Sequence, residues 1–188
     1  MARTTMSELI TTLRGMTNAG TADFTIGTTA YFSDDQMQGY LDARRIEVVD
    51  KLYSPLGEYS GGSVVYTRYN LLATDWEGGT ALVVKDAVGN TLGAANYSID
   101  AARGWVTFTV DTGGTLIMVN GGRYDMNAAA ADVWRRKASF YADGIDFSTD
   151  NHSVKRSQRV SAAESMAQKY EARSETMTGS IEVYRGDS

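Results

Sequence analysis

The sequence predicts an α+β fold, a small helical bundle of about four helices with an antiparallel β-sheet subdomain inserted between them. Apolar residues follow helical spacing near both ends of the chain, whereas the middle shows short strands separated by turns. A length of 188 residues allows one ordinary core with a small addition. We expect an N-terminal helical part over 1–58, a β-rich insertion over 59–122, helices over 123–173 and an extended tail over 174–188.

The first predicted helix follows Ser7 and carries Leu9, Ile10 and Leu13 on one stripe. A second helix begins at Asp34, because Ser33 can cap it and Gln36 can complete a capping box. We expect this helix to continue until Pro55. Two apolar faces then run along it, one with Met37, Tyr40, Leu41, Val48 and Leu52, the other with Ile46, Val49 and Tyr53.

Two apolar faces on one helix require two partners. One interpretation places this helix at the centre of the bundle, and the other packs its second face against a neighbouring subunit. The second interpretation yields a set of predicted subunit contacts, to which a run of alanines in a later helix adds two positions. The set is Met37, Tyr40, Leu41, Ile46, Val49, Tyr53, Ala128 and Ala131.

The strand-rich middle predicts an antiparallel sheet. The expected strands are Ser63 to Leu72, Thr80 to Lys85, Asn96 to Ile99, Trp105 to Val110 and Thr115 to Val119. Val106, Phe108 and Val110 alternate with polar residues, so their face is expected to be buried. The Gly-Gly pairs, including Gly121-Gly122, are interpreted as turns.

Helical spacing returns after Gly122. Asp125 can cap a helix with Trp134, Ala138 and Tyr141 as its core stripe, and Ala128 to Ala131 permit close approach of a neighbouring helix. A linker over 146–153 leads to a last helix with an apolar stripe of Val160, Ala163, Ala167 and Tyr170. The tail ends in an alternating segment, Ile181, Glu182, Val183 and Tyr184, which could add as a strand to another sheet.

The composition leaves little room for catalytic chemistry. The chain has no cysteine, which excludes disulfides, thiolate zinc sites and cysteine nucleophiles. Its single histidine is His152. Asp146, Ser148, Asp150 and Asn151 alternate like a calcium loop but lack its central glycine and terminal glutamate, so a capped turn is the alternative. We therefore predict no catalytic residue, no metal site and no cofactor.

The charge balance bears on possible partners. A net charge of −5 argues against broad binding of nucleic acid, although Arg135-Arg136-Lys137 could meet phosphates if it is not simply a solvated face. No apolar run exceeds four residues, so we predict no signal peptide and no membrane helix. Tyr59, Tyr66, Tyr69, Trp76 and Tyr97 could stack on sugars or could form a core.

Two segments resemble the head-tail connector (adaptor) proteins of tailed bacteriophages. The segment from Phe32 to Asp42 is similar to their opening helix. The segment from Tyr124 to Trp134, with its continuation through Ser157-Gln158, resembles their paired C-terminal helices. The resemblance covers the helical parts, somewhat more than half of the chain, and makes the strand-rich middle an insertion.

This resemblance implies a structural protein of the virion neck without enzymatic activity. Members form a ring, commonly of twelve subunits, beneath the portal protein; the ring extends the DNA channel and provides a platform for the tail or a stopper protein. The subunit would assemble in the host cytoplasm, bind copies of itself and let genomic DNA pass without specific binding. The alternating tail, Ile181 to Tyr184, would be the arm that docks on the portal.

Two other functions stay open at this point. A tail-completion or tail-terminator ring protein would assemble with the tail tube instead of the portal. A carbohydrate- or surface-binding module, from a different class of protein, would use the aromatic residues of the inserted sheet. Saccharide binding separates the module from either ring protein.

Overall fold

The structure, a computed structural model, describes residues 2–21, 23–26, 28–142, 147–149, 152–154 and 156–175. The α+β class is confirmed, because the chain has helices near both of its ends and antiparallel sheets between them in sequence. The helices are α1 (Ser7–Thr17), α2 (Asp34–Asp42), α3 (Met126–Ala142) and α4 (Arg156–Glu171). The strands are β1 (Thr25–Ile26), β2 (Thr29–Ala30), β3 (Arg45–Tyr53), β4 (Pro55–Ser60), β5 (Ser63–Asn70), β6 (Val83–Asp86), β7 (Tyr97–Asp100), β8 (Trp105–Phe108), β9 (Ile117–Tyr124), β10 (Phe147–Thr149) and β11 (His152–Val154).

The first hydrophobic core lies among α1, α2 and α3. Leu13, Met37 and Val133 are fully buried there, one from each helix. α4 packs along α3 and buries Ala163 and Ala167, as its predicted stripe requires. The helices therefore form the expected small bundle.

The start of α2 is as predicted. The Ser33 hydroxyl accepts a hydrogen bond from the Gln36 backbone N–H, and the Gln36 side chain accepts one from the Ser33 N–H. This capping box satisfies backbone donors that the first helical turn leaves without intrahelical partners. The start of α3 is also as predicted, with the Asp125 carboxylate accepting a hydrogen bond of 2.9 Å from the Ala128 N–H.

The predicted continuation of α2 to Tyr53 is wrong. The helix ends at Asp42, and Arg45–Tyr53 form β3, which pairs antiparallel with β9. The β-branched residues Ile46, Val48 and Val49 favour a strand here. Arg44 lies between the end of α2 and the start of β3, and its guanidinium binds the Asp132 carboxylate of α3 at 2.7 and 3.0 Å. The two apolar faces of one long helix consequently do not exist.

The chain between α2 and α3 forms two sheets around a second hydrophobic core. One has the strand order β3-β9-β6 and the other β4-β5-β8-β7. Both sheets contribute fully buried side chains, among them Tyr69 and Val106 from one and Val84 and Val119 from the other. Phe108 is buried as predicted, whereas Val110 is 67% exposed because β8 has already ended.

The five predicted strands correspond to β5 through β9 with shifted ends, whereas β3 and β4 were not predicted. The predicted turn at Gly121-Gly122 is wrong, because both glycines lie inside β9. A Cβ on Gly122 would overlap the Arg45 guanidinium. A larger residue at this position would have to displace the flexible end of the Arg45 side chain, and the position does not form a turn.

The boundaries of the β part also differ from expectation. Its strands extend from Arg45 to Tyr124, so the predicted boundary after residue 58 falls inside β4. The predicted linker over 146–153 contains β10 and the start of β11, which pair antiparallel. Within α3, Ala138 is buried as predicted, whereas Trp134 and Tyr141 are half-buried.

Candidate functional site

A buried polar cluster in the described part of the chain centres on Glu77, which is 5% exposed. Its Oε1 accepts hydrogen bonds from Thr5 Oγ1 at 2.7 Å and Arg3 Nε at 3.0 Å. Its Oε2 accepts one from the Tyr124 hydroxyl at 2.7 Å. Arg3 also pairs with Asp42 at 2.7 Å, at the end of α2. The cluster thus joins the N-terminal segment, α2, the loop before β6 and the end of β9.

The electrostatics of this cluster favour the ionised form of the Glu77 carboxylate. Burial alone would raise the pKa of Glu77, but hydrogen bonds from Thr5 and Tyr124 and the charge of Arg3 outweigh it and leave the pKa lowered. Burial and the neighbouring Glu77 carboxylate raise the pKa of the Tyr124 hydroxyl. Both carboxylate oxygens already have donors, so Glu77 is placed to hold the structure together and not to transfer protons.

An open groove of about 560 Å³ lies beside this cluster, between the N-terminal segment and the loop before β6. Its lining includes Glu8 and Asp100 and no lysine or arginine. Two carboxylates without a cation disfavour a phosphate or carboxylate ligand. Across the described ranges, no group of three or more His, Cys, Asp or Glu side chains could hold a metal ion.

The calcium alternative lies mostly outside the described residues, which omit Asp146, Asp150 and Asn151. Ser148 falls on β10 and His152 on β11. The expected absence of catalytic, metal and cofactor sites therefore stays a prediction. No helix in the described part of the chain is long and apolar enough to cross a membrane.

The basic group at positions 135–137 is committed to contacts within the chain. Arg135 pairs with Asp132 at 3.0 Å and also with Glu171 of α4. Arg136 stacks on the Tyr31 ring and donates a 2.7 Å hydrogen bond to its hydroxyl.

Lys137 departs from the expected solvated face, because its side chain is only 4% exposed. Its ammonium binds Asp23 at 2.7 Å and the Asn18 carbonyl at 2.8 Å. Burial is tolerated because the charge has a carboxylate partner and a hydrogen-bond acceptor. With each of the three cations engaged, this face of α3 does not form a free patch for phosphates.

The end of α4 is anchored to the start of α3. The Arg123 guanidinium binds both carboxylate oxygens of Glu175, each at 2.6 Å. The Glu175 backbone N–H donates a 2.7 Å hydrogen bond to Asp125. The residues of the predicted docking arm lie outside the described part of the chain: Ile181, Glu182, Val183 and Tyr184. The structure describes only the residue that precedes this C-terminal segment, Glu175.

The predicted subunit contacts divide by exposure. Met37, Leu41 and Tyr53 are buried in the two cores of the same chain, and Ala131 is buried as well, which corrects their assignment to a subunit contact. Tyr40, Ile46 and Ala128 are half-buried. Val49 alone of the set is largely open to solvent, at 68%.

The aromatic residues considered for sugar binding do not form an exposed platform. Tyr69 and Trp76 are buried, Tyr66 and Tyr97 are half-buried, and Tyr59 is 79% exposed. Tyr59 faces Val64 across the β4–β5 hairpin. We call the turn and its flanking residues, Tyr59–Val64, the hairpin tip.

Sequence reasoning missed the Glu77 cluster and β4, but its interpretation of Gly61-Gly62 as a turn is confirmed. The hairpin had a usable signal, because Gly61-Gly62 between two apolar-polar stretches is a typical two-residue turn. The Glu77 cluster had none, since Arg3, Glu77 and Tyr124 come from distant parts of the chain. Comparisons with protein-family models, with curated proteins and with solved structures find no match for this chain.

Proposed function

We propose that this chain is a structural protein of the bacteriophage neck, a head-tail connector that forms a ring below the portal. We expect twelve subunits, which together extend the DNA channel and carry the tail or a stopper protein. The observation that carries the proposal is the packing of α3 against α4, because these two helices carry the resemblance to the paired C-terminal helices of connectors.

The anchored exit of the C-terminal segment supports the same function. Thirteen residues follow Glu175, and their alternating part is suited to strand addition on a partner. Arg123 and Asp125 hold the residue before this segment against the folded body. Such an anchor suits a docking arm. A pull on the bound arm would be transmitted through these contacts to the folded body, and the end of α4 would stay helical.

The charge distribution is compatible with a channel through which DNA slides. The net charge is −5, and the three cations at 135–137 are engaged within the chain. A channel wall with few unpaired cations would make few contacts with DNA phosphates, and it would therefore bind the passing DNA weakly. The absence of an aromatic platform among the described residues makes a carbohydrate-binding module the weaker candidate.

The test is to mix the purified protein with the portal ring encoded beside it and to image the product by electron microscopy. We expect a continuous ring stacked under the narrow end of the portal. Rings found on tail tubes and not on the portal would favour a tail-completion or tail-terminator protein instead. A glycan array serves as the parallel control, and saccharide binding without any ring would overturn the proposal.

A further inference from the structure

The chain passes between the helical part, α1 to α4, and the β part, β3 to β9, at two adjacent points. α2 leads into β3 through Ala43 and Arg44, and β9 leads into α3 through Asp125. Arg45 of β3 pairs with Tyr124 of β9, so the two crossings lie side by side. We call them the hinge, because a change in a few backbone torsions there turns one part against the other.

A short N-terminal segment ties the two parts together beside the hinge. Its residues 2–6, which we call the strap, include the 3₁₀ turn Thr4–Met6. Met6 is fully buried in the helical core, which fixes one end of the strap. The turn contacts a similar turn of the β part, Gly79–Ala81. The strap therefore spans the junction between the two parts.

Arg3, in the strap, contacts both parts. Its backbone N–H donates a 2.6 Å hydrogen bond to Gln38 of α2, and its guanidinium pairs with Asp42 at 2.7 Å. The same guanidinium binds Glu77 of the β part at 3.0 Å. The Arg3 side chain is 43% exposed, so water reaches these contacts. Because they are polar, they can open while both hydrophobic cores stay packed.

The groove beside the Glu77 cluster lies between the two parts. Thr5 and Glu8 line it from the helical side, and Gly78 and Asp100 line it from the β side. Its two walls therefore move relative to each other when the hinge turns. A groove that is already open to solvent leaves room for that motion.

Another tie holds the opposite face of β9. Tyr124 and Arg123 are neighbours on this strand, so their side chains point to opposite faces of its sheet. Tyr124 binds Glu77 and Arg3, whereas Arg123 binds Glu175 after α4. Release of the strap leaves the Arg123–Glu175 pair in place. The two parts then turn against each other and do not separate.

We propose that the strap is a releasable clasp: when the contacts of Arg3 and Thr5 with Glu77 open, the β part turns on the hinge while both cores stay folded. This conformational device belongs to the single subunit and does not depend on the ring proposed above. Local opening of this kind requires less free energy than unfolding of the whole chain. It is therefore visible as hydrogen exchange at the hinge under native conditions.

The Asp125 N–H reports on the hinge, because it donates a 3.1 Å hydrogen bond to the Arg44 carbonyl of the other crossing. We expect it to be at least tenfold less protected than the N–H groups of two buried core residues, Val119 and Val133. Its exchange should depend only weakly on urea, since local opening exposes little surface. Equal protection and equal urea dependence at all three positions would mean that the hinge opens only on global unfolding, which overturns the proposal.

Arg3→Ala removes the clasp. We expect Asp125 exchange to rise several-fold, because the closed state loses the Arg3 contacts whereas the open state never had them. Arg68→Ala is the matched control, since Arg68 is also 43% exposed but its ion pair with Glu58 lies within the β part. The control should leave Asp125 exchange unchanged. A rate that does not respond to Arg3→Ala, or that rises equally in both variants, overturns the proposal.

A reversible cross-link provides the second readout. A Cβ at Gly79 would be 3.3 Å from the Thr5 methyl group, which is within reach of a disulfide between Thr5→Cys and Gly79→Cys. The chain has no cysteine of its own, and comparing the oxidised with the reduced form cancels the effect of the substitutions themselves. We expect the oxidised form to slow Asp125 exchange at least tenfold. A cross-link that does not form on oxidation, or equal exchange in both forms, counts against the clasp.

Discussion

The Tyr124 hydroxyl donates a 2.7 Å hydrogen bond to Glu77 and thereby connects the two cores of the chain. Tyr124 belongs to the helical core, and Glu77 follows Trp76 of the β core. The β part is inserted between α2 and α3, so its orientation depends on contacts at this junction. The Glu77 cluster supplies charge-assisted hydrogen bonds to a buried carboxylate at that place.

Replacing Glu77 by glutamine should destabilise the protein by about 1 to 3 kcal/mol, because Arg3 loses its buried counter-charge and the cluster loses an acceptor. Urea unfolding at pH 7 measures the change. Glu58→Gln is the matched control, since its ion pair with Arg68 is exposed and should contribute less than about 1 kcal/mol. Equal losses in both variants would mean that the Glu77 cluster does not hold the junction.

The same carboxylate predicts how stability depends on acid. The pKa of Glu77 in the folded state lies below its ordinary value of 4.5. The ionised group therefore stabilises the fold above that pH, and this stabilisation is lost as the pH falls through the lowered value. We expect the unfolding free energy to fall less steeply below about pH 4.5 in Glu77→Gln than in the unmodified protein. Parallel curves would exclude Glu77 as a source of acid sensitivity.

Two glycines with similar backbone conformations should respond differently to alanine. Gly104 has a φ of 68° and Gly113 a φ of 63°, but a Cβ at Gly104 would overlap the Ala73 carbonyl oxygen, whereas the space at Gly113 is open. Gly113→Ala should cost about 1 to 2 kcal/mol from backbone strain alone. Gly104→Ala should cost more than about 3 kcal/mol, because overpacking adds to the strain. Thermal or urea unfolding compares them, and similar losses would contradict the close approach.

Local signals in the sequence predicted the elements that depend on neighbouring residues. Ser33 and Gln36 define the start of α2 because both members of the capping box lie within one turn. β3 could not be predicted in the same way, since Ile46, Val49 and Tyr53 also fit helical spacing. Its conformation is decided by pairing with β9, far along the chain.

The candidate sites were harder to predict for the same reason. The burial of Lys137 depends on Asp23 and the Asn18 carbonyl, which reach it from the loop after α1. A helical position between two arginines gives no hint of that partner. The exit of the C-terminal segment likewise depends on Arg123, a residue of β9. The predicted tail of 174–188 therefore included two residues, Ser174 and Glu175, that contact the folded body.

Removal of residues 176–188 separates attachment from stability. Because Glu175 and its contacts remain, we expect the unfolding free energy to change by less than about 0.5 kcal/mol. Removal of 174–188 also takes away the Arg123–Glu175 pair, a half-exposed contact that should contribute about 0.2 to 1 kcal/mol. Both deletions should abolish attachment to the portal ring, measured by co-sedimentation.

A same-length control distinguishes the alternating pattern from mere chain length. Ile181→Ser combined with Val183→Ser removes the two alternating aliphatic side chains, and it should abolish portal attachment as fully as the deletion. Glu182→Ser, at the intervening position, should leave attachment in place because strand addition depends on the side chains that face the acceptor sheet. Attachment that survives the deletion of 176–188 would rule out the docking arm, and a large loss of stability would show that the segment belongs to the folded body.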